Sequence, residues 1–231
     1  MPSAARTWTG PIDEARSPEV LDGHVVTPGP RPRLQGYDVE EDLAVHYGLV
    51  ETFLLAMTGE LPEPWQARAA EVALEFLAPA PVAEAPAHAA VVARICGARS
   101  SAILGIGAVT LAEQAHALVE ENRDLLAWLA GGEGPPPAAS LASTDEERES
   151  VVRLRAALAA RDVELPVLAG DLSRDPALLA VLFHAGLCEP EHIEAVIVAA
   201  RLPCLTAEAL AWRPRALKEY PMNLPCFRYE E

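Results

Sequence analysis

Residues 34–62 constrain the fold of this chain more than any other segment, because they place two short amphipathic helices between three turn signals. A Gly-Tyr-Asp turn at 36–38 precedes the first helix, and Gly48 separates the two helices. A Gly-Glu-Leu-Pro turn at 59–62 ends the second helix. Apolar residues recur through the segment at helical spacing, so it predicts a helical pair whose apolar stripe packs against further helices.

Similar patterns elsewhere predict an all-α protein. Aromatic residues are only 5% of the sequence, so the core must consist mostly of Ala, Leu and Val. The first helix has Asp38 as a suitable N-cap, with Glu41 in the capping-box position. A long helix over 102–130 is apolar on most sides in its first half, which is typical of a buried central helix. Further helices are predicted to begin near Pro64, Ala87, Thr144, Asp175 and Pro190.

The turn and linker residues suggest five segments, and none contains a strand of five or more residues. The second and fourth segments form the helical core, and Pro203 is expected to kink or divide its last helix. The segments are an irregular arm over 1–35, the first part of the core over 36–130, a linker with a reduced small domain over 131–165, the second part of the core over 166–212, and an extended tail over 213–231.

Charge and cysteine content exclude several classes of protein. The formal net charge of −16 disfavours binding to nucleic acid or to an anionic membrane surface. No apolar run reaches the roughly 20 residues that span a bilayer, and the first residues lack the apolar core of a signal peptide. The four cysteines form no C-x-x-C pair, so we expect reduced thiols in a cytoplasmic protein, with Cys96 inside a buried helix.

The turns at 36–38 and 59–62 carry a resemblance to a known family. The order of Gly36-Tyr37, an amphipathic helix and Gly-Glu-Leu-Pro resembles the N-terminal part of citrate synthase and of the shorter citryl-CoA lyases. The resemblance implies a citrate-synthase-like large helical domain with a reduced small domain. It also implies a homodimer formed through the long central helices, and chemistry that makes or breaks a carbon–carbon bond beside a CoA thioester carbonyl.

Two residues match family positions that carry this chemistry. Counted from Arg94, which fits the family's A-A-R, His116 falls within a residue or two of the family histidine that stabilises an enolate oxyanion. Two family glycines after it are replaced by Ala117 and Leu118. Asp171 lies where the resemblance implies the carboxylate base. The alternatives are a solvated surface histidine and an aspartate that caps or turns the loop before the next helix.

Arg201 resembles a family arginine that binds a substrate carboxylate, and Arg94 is a second candidate for substrate binding. For Arg201 the alternative is a structural ion pair with a glutamate. The family's G-H-x(6)-D-P-R segment is absent, so we expect no ordinary citrate synthase activity. No spacing of His, Cys, Asp or Glu matches a metal site, and no cofactor is implied other than a CoA thioester as substrate.

Three functions therefore remain open. The chain acts on or binds a CoA thioester or a small keto or polycarboxylic acid, as a citryl-CoA lyase-like transferase or lyase. Alternatively, it is an inactive relative that serves as a binding or scaffolding dimer. A third possibility is a different reaction in the pocket that corresponds to the substrate pocket of the citrate synthase family.

Overall fold

The computed structural model describes residue 20 and residues 22–214, and it divides the chain into two units at His46 and Tyr47. In the first unit, β1 (Val26–Thr27), β2 (Arg33–Leu34) and β3 (Tyr37–Asp38) form a small antiparallel sheet in the order β1-β2-β3. The register pairs Val26 with Leu34 and Leu34 with Tyr37. The strands have two residues each, in agreement with the prediction that no longer strand forms.

The first predicted helix is a π-helical turn at Val39–Leu43 that continues into a short α-helix at Ala44–His46. Asp38 caps it as predicted, because its carboxylate accepts hydrogen bonds from the backbone N–H groups of Glu40 and Glu41 at 3.0 and 2.9 Å. The capping box is incomplete, since the Glu41 carboxylate pairs with Arg31 at 2.9 Å instead of turning back to the cap.

The second unit contains eight helices within the described residues. They are α1 (Leu49–Thr58), α2 (Pro64–Leu77), α3 (Ala85–Ile95), α4 (Ser100–Glu121), α5 (Arg123–Leu129), α6 (Asp145–Ala159), α7 (Arg174–His184) and α8 (Pro190–Ala211). Short 3₁₀ turns occur at Ala138–Ser140 and Pro166–Ala169. The predicted all-α class is therefore confirmed.

Several predicted boundaries were wrong. The single helix over 102–130 is two helices, because the chain leaves helical geometry at Asn122. Its side-chain amide donates to the Leu118 carbonyl at 2.9 Å and satisfies one of the terminal acceptors. Helix α8 continues through Pro203 without dividing. Helix α3 ends at Ile95, so Cys96 lies beyond it and is exposed together with Cys188 and Cys204.

Two hydrophobic clusters stabilise this unit. The larger one surrounds α7, and its buried residues include Leu54, Val72, Leu154, Leu179 and Val196. The smaller one joins α3, the first half of α4 and the end of α8. Its largest buried side chains are Ile103, Leu111 and Leu205. The predicted tail over 213–231 and most of the predicted arm fall largely outside the described residues.

Helix α4 is long and apolar enough to cross a membrane, by length and composition only. Within one chain, only 28% of its most apolar window is buried, so the described residues alone do not make it a buried central helix. One face packs on α3 and α8, whereas Leu104, Ile106 and Val109 are exposed. Close approach of α8 explains the glycine at position 107, since an added Cβ would lie 2.5 Å from the Leu205 Cδ2. It does not explain Gly105, because a Cβ added there would meet no atom within 4 Å.

Candidate functional site

His116 lies on the exposed side of α4 and faces α8. Its Nδ1 is 2.9 Å from the Glu194 Oε1, and its side chain is 59% exposed. The hydrogen bond to Glu194, reinforced by the charge of that carboxylate, raises the pKa of His116 above its usual value. The ring is therefore better suited to hold a proton than a free histidine is.

Asp171 lies in the segment before α7, where its backbone and its side chain have separate roles. Its carbonyl accepts from the Ala142 N–H at 2.8 Å, beside a short antiparallel bridge between Leu141 and Leu172. Its carboxylate pairs with the Arg148 Nε at 3.3 Å and lines a shallow groove of about 270 Å³. Asp171 does not cap α7, because Ser173 occupies the N-cap position.

Arg201 lies on α8 and is the most enclosed of the predicted site residues, with a side chain only 12% exposed. Its Nη1 donates to the Gln114 Oε1 at 2.8 Å, and its Nη2 donates to the Pro79 carbonyl at 3.2 Å. Nη2 also forms a short ion pair with the Glu84 Oε2. Gln114 closes the network by donating from Nε2 to the same Glu84 oxygen at 3.0 Å.

One nitrogen of this guanidinium has no hydrogen-bond partner among the described residues. This nitrogen is the buried Nε of Arg201. Nε and one N–H of Nη2 point in the same direction along one edge of a guanidinium, which is the edge that a carboxylate binds with both oxygens. Nη2 donates both to the Glu84 carboxylate and to the Pro79 carbonyl, whereas Nε has no acceptor. A buried donor without an acceptor costs about 1–3 kcal/mol, so this edge is incompletely satisfied.

The Arg201 network lines a cleft of about 530 Å³ between α2, α4, α7 and α8. Arg174 reaches the same cleft from the first residue of α7, where its Nη2 donates to the Phe76 carbonyl at 2.9 Å. Acidic groups lie beside the two arginines, and they are Glu84, Glu121 and Asp175. Each arginine is paired with one of these carboxylates, Arg174 with Asp175 at 3.2 Å and Arg201 with Glu84.

Arg94 is not part of this cleft. Its Nε donates to the Trp212 carbonyl at 3.1 Å and thereby connects α3 to the residue that follows α8. This contact gives Arg94 a structural role in the described residues, beside the predicted role in substrate binding.

The predicted residues are only partly brought together. Helices α4 and α8 carry two parallel contacts, one between His116 and Glu194 and one between Gln114 and Arg201. Asp171 lines a different groove, and the cleft at Arg201 includes neither His116 nor Asp171 in its wall. Among the described residues there is no group of three His, Cys, Asp or Glu side chains that could hold a metal ion.

Sequence reasoning missed Glu84, Gln114 and Arg174. Gln114 lies two residues before His116, in the segment matched to the family histidine. This position was the only indication in the sequence that Gln114 belongs to the site. Glu84 lies in a Pro- and Ala-rich loop, and Arg174 lies one residue before the predicted helix start at Asp175. Glu84 pairs with Arg201, which lies 117 positions further along the chain, and Arg174 contacts Phe76, which lies 98 positions before it.

No family model matches the sequence, and no curated protein matches it. Solved structures do match. Citryl-CoA lyase from Hydrogenobacter thermophilus aligns with a TM-score of 0.63 and 16% identity, over 92% of this chain and 97% of that one. The fold is that of citryl-CoA lyase. This result confirms the fold that the resemblance implied.

Two ATP citrate lyases have the same fold over part of their length. The Methanosaeta concilii D541A mutant, in complex with (3S)-citryl-CoA, aligns with a TM-score of 0.64 and 15% identity over 93% of this chain. The Methanothrix soehngenii enzyme, in complex with citrate and coenzyme A, aligns with a TM-score of 0.54 and 15% identity over 98% of this chain. The chain spans 43% and 46% of the length of those two proteins.

Proposed function

We propose that this protein is a citryl-CoA lyase-like protein that binds a small polycarboxylate or its CoA thioester in the cleft at Arg201. The observation that carries the proposal is the enclosed guanidinium of Arg201, whose Nε has no acceptor among the described residues and which lines the same cleft as Arg174. An arginine fork of this kind is the usual protein group for recognition of a carboxylate.

The fold supports the same class of ligand. Two solved proteins with this fold are in complex with (3S)-citryl-CoA and with citrate and coenzyme A. Small-molecule sites in proteins are concave and contain a few convergent polar groups, as the cleft at Arg201 does. The substrate class therefore agrees with the chemistry of the cleft.

We propose binding without ordinary citrate synthase turnover. Enolate chemistry needs a base and an oxyanion donor within hydrogen-bond reach of one carbon centre. The predicted base Asp171 instead pairs with Arg148, and the predicted donor His116 pairs with Glu194. If the protein does act as an enzyme, His116 and Asp171 remain the residues proposed for these two roles, with Arg201 and Arg94 holding the substrate.

Ligand-dependent thermal unfolding tests this proposal. Citrate, coenzyme A and citryl-CoA should each be tested, and a ligand present at 100 times its dissociation constant should stabilise the protein by about 2.7 kcal/mol. Arg201→Ala should abolish the effect of citrate. Arg153→Ala removes an equal charge from exposed α6 and should leave the effect unchanged. If none of the three ligands shifts the unfolding temperature, the proposal is wrong.

The enzymatic alternative is tested by assays of two reactions. Neither condensation of acetyl-CoA with oxaloacetate nor cleavage of citryl-CoA should be measurable, because the loss of one oxyanion donor alone typically costs about 10²–10³-fold in rate. Turnover within tenfold of an ordinary synthase or lyase, abolished by His116→Ala, would establish an enzyme instead of a binding protein.

A scaffolding dimer is the second candidate function, and the exposed apolar face of α4 favours it. Leu104, Ile106 and Val109 are 40%, 39% and 64% exposed, and residues 100–112 contain no charged side chain. Exposed apolar side chains on a helix segment without charges favour an interaction site. We propose a cytoplasmic homodimer that covers this face, and light scattering that gives only the 24.6 kDa monomer at micromolar concentration would contradict it.

A further inference from the structure

We propose that Glu84 is a built-in competitor that occupies the carboxylate site of Arg201, so that a ligand carboxylate binds by displacing it. This inference rests on the proposed function. It adds that Glu84 controls access of the ligand to Arg201 and that the site selects a ligand with a carboxylate. The juxtaposition that carries it is a Glu84 carboxylate, 32% exposed, that engages Nη2 of the enclosed Arg201 with one oxygen while Nε of the same guanidinium has no partner among the described residues.

The Glu84 carboxylate imitates a ligand incompletely. Its Oε2 accepts from both Arg201 and Gln114, and Glu84 therefore has one oxygen engaged by two donors. A free carboxylate is not attached to the backbone. Once Glu84 has moved away, it can accept from the Nη2 donor that Glu84 leaves and turn its second oxygen toward Nε. The site is therefore better matched to a ligand carboxylate than to the residue that occupies it.

Glu84 also lies where displacement is feasible. It is the N-cap residue of α3, at the end of a loop that begins at Pro79, and its carboxylate makes no hydrogen bond to the amides of that helix. Its side chain is 32% exposed, whereas that of Arg201 is 12% exposed. The carboxylate can thus rotate toward solvent while the arginine stays in place on α8.

The selected ligand must carry a carboxylate. A neutral ligand that displaced Glu84 would leave the enclosed Arg201 charge without a counterion, which is strongly unfavourable. Apparent affinity equals the intrinsic affinity multiplied by the fraction of molecules whose site is open. Glu84 lowers that fraction, so it should weaken binding of citrate and discriminate against uncharged analogues.

The test compares citrate binding by calorimetry in the wild type, Glu84→Gln, Glu84→Ala and a matched control. Glu113→Gln is the control because it removes the same charge from an exposed position on α4, one residue from Gln114 and outside the wall of the cleft. We expect both Glu84 variants to bind citrate at least tenfold more tightly than the wild type, and Glu113→Gln to differ by less than threefold. Trimethyl citrate, which lacks the carboxylates, should gain nothing.

Thermal unfolding gives a second readout that a structural ion pair would not produce. Without ligand, Glu84→Ala should unfold at a lower temperature than the wild type, because Arg201 loses its counterion. Saturating citrate should raise the unfolding temperature of Glu84→Ala by more than it raises that of the wild type. Adding Arg201→Ala to either Glu84 variant should remove the gain in affinity.

The outcomes separate this inference from the proposed function. If the wild type binds citrate and the Glu84 variants bind it equally or more weakly, Glu84 is a structural partner and the inference is wrong, while the proposed function stands. If citrate binds to none of the proteins, both are wrong. Tight binding in the Glu84 variants that survives Arg201→Ala would also overturn the inference.

Discussion

Helices α7 and α4 are similarly apolar, yet the protein covers them very differently. Residues 176–182 of α7 are all buried, and they lie at the centre of the larger hydrophobic cluster. Helix α4 buries only every fourth residue, namely Ile103, Gly107, Leu111, Ala115 and Val119. The difference shows that an apolar helix is buried only if elements pack on all its sides, and in the described residues α4 is covered mainly on the side that faces α3 and α8.

The largest effect is expected in α7. Leu179→Ala removes a side chain that is 1% exposed and leaves a cavity that the surrounding helices cannot fill. The free energy of unfolding should fall by about 2–5 kcal/mol, measured by urea denaturation. Leu210→Ala on α8 serves as a control, since 46% of that side chain is already exposed and the loss should be well below 1 kcal/mol. Equal losses would show that the burial of α7 does not determine stability.

The second effect concerns the open face of α4. Val109→Glu places a charge at the proposed dimer contact and should weaken self-association by about 2–3 kcal/mol, or roughly 100-fold. Val152→Glu on α6 is a matched control, because Val152 is 61% and Val109 is 64% exposed. Light scattering over a range of concentrations would measure both. A dimer that tolerates Val109→Glu as well as Val152→Glu must use another surface.

The two glycines of α4 should respond differently to the same substitution. Gly105→Ala should stabilise a single chain by about 1 kcal/mol, because alanine favours a helix and the added methyl meets no atom within 4 Å. Gly107→Ala should lose this gain, since its methyl would press on the buried Leu205. Thermal unfolding of the two variants measures the difference. If Gly105→Ala instead weakens self-association, Gly105 lies in a close helix contact between two copies.

The smallest effect is a contrast in pH dependence between a histidine on each helix. Glu194 raises the pKa of His116, so its contribution to stability is complete below the unfolded pKa of about 6.5 and is lost as the pH rises through the higher folded pKa. Burial lowers the pKa of His184 at the end of α7, so its contribution is complete above about 6.5 and is lost as the pH falls.

Glutamine substitutions test this contrast. Relative to the wild type, His116→Gln should remove a stabilising effect that is greater at pH 6 than at pH 9. In the wild type, protonation of the half-buried His184 ring destabilises the folded state at low pH. His184→Gln removes this ring, so the variant should lose less stability at low pH than the wild type does. Unfolding temperatures between pH 5 and pH 9 provide the measurement, and parallel curves for the two variants would contradict the assigned causes.

Much of the local structure could be predicted from the sequence. Asp38 and Thr144 cap the helices that follow them, and the Glu147 carboxylate completes a capping box with the Thr144 N–H at 3.1 Å. Pro64 and Pro190 begin helices, and Gly59 ends one with a φ of 82°. These signals act over a few residues and need no tertiary partner, so sequence alone is sufficient for them.

The candidate site could be predicted only in part. Arg201 was identified from the resemblance, but its surroundings were not, because Glu84 and Gln114 lie 117 and 87 residues away in the chain. Sequence also could not separate His116 from Asp171, which the resemblance joins in one mechanism and the fold assigns to different contacts. Distances between such residues depend on how the helices pack, which local patterns do not encode.

The sequence by itself determined that this protein is helical, where most helices begin and end, and which known fold it shares. Only the tertiary structure decided that α4 keeps exposed apolar residues, that Arg201 has an enclosed and incompletely paired guanidinium, and that Glu84 pairs with it. The physical reason is that helix caps, turns and the spacing of apolar residues depend on neighbours a few positions away. Burial and ion pairing depend instead on side chains that are distant in the sequence and meet when the helices pack.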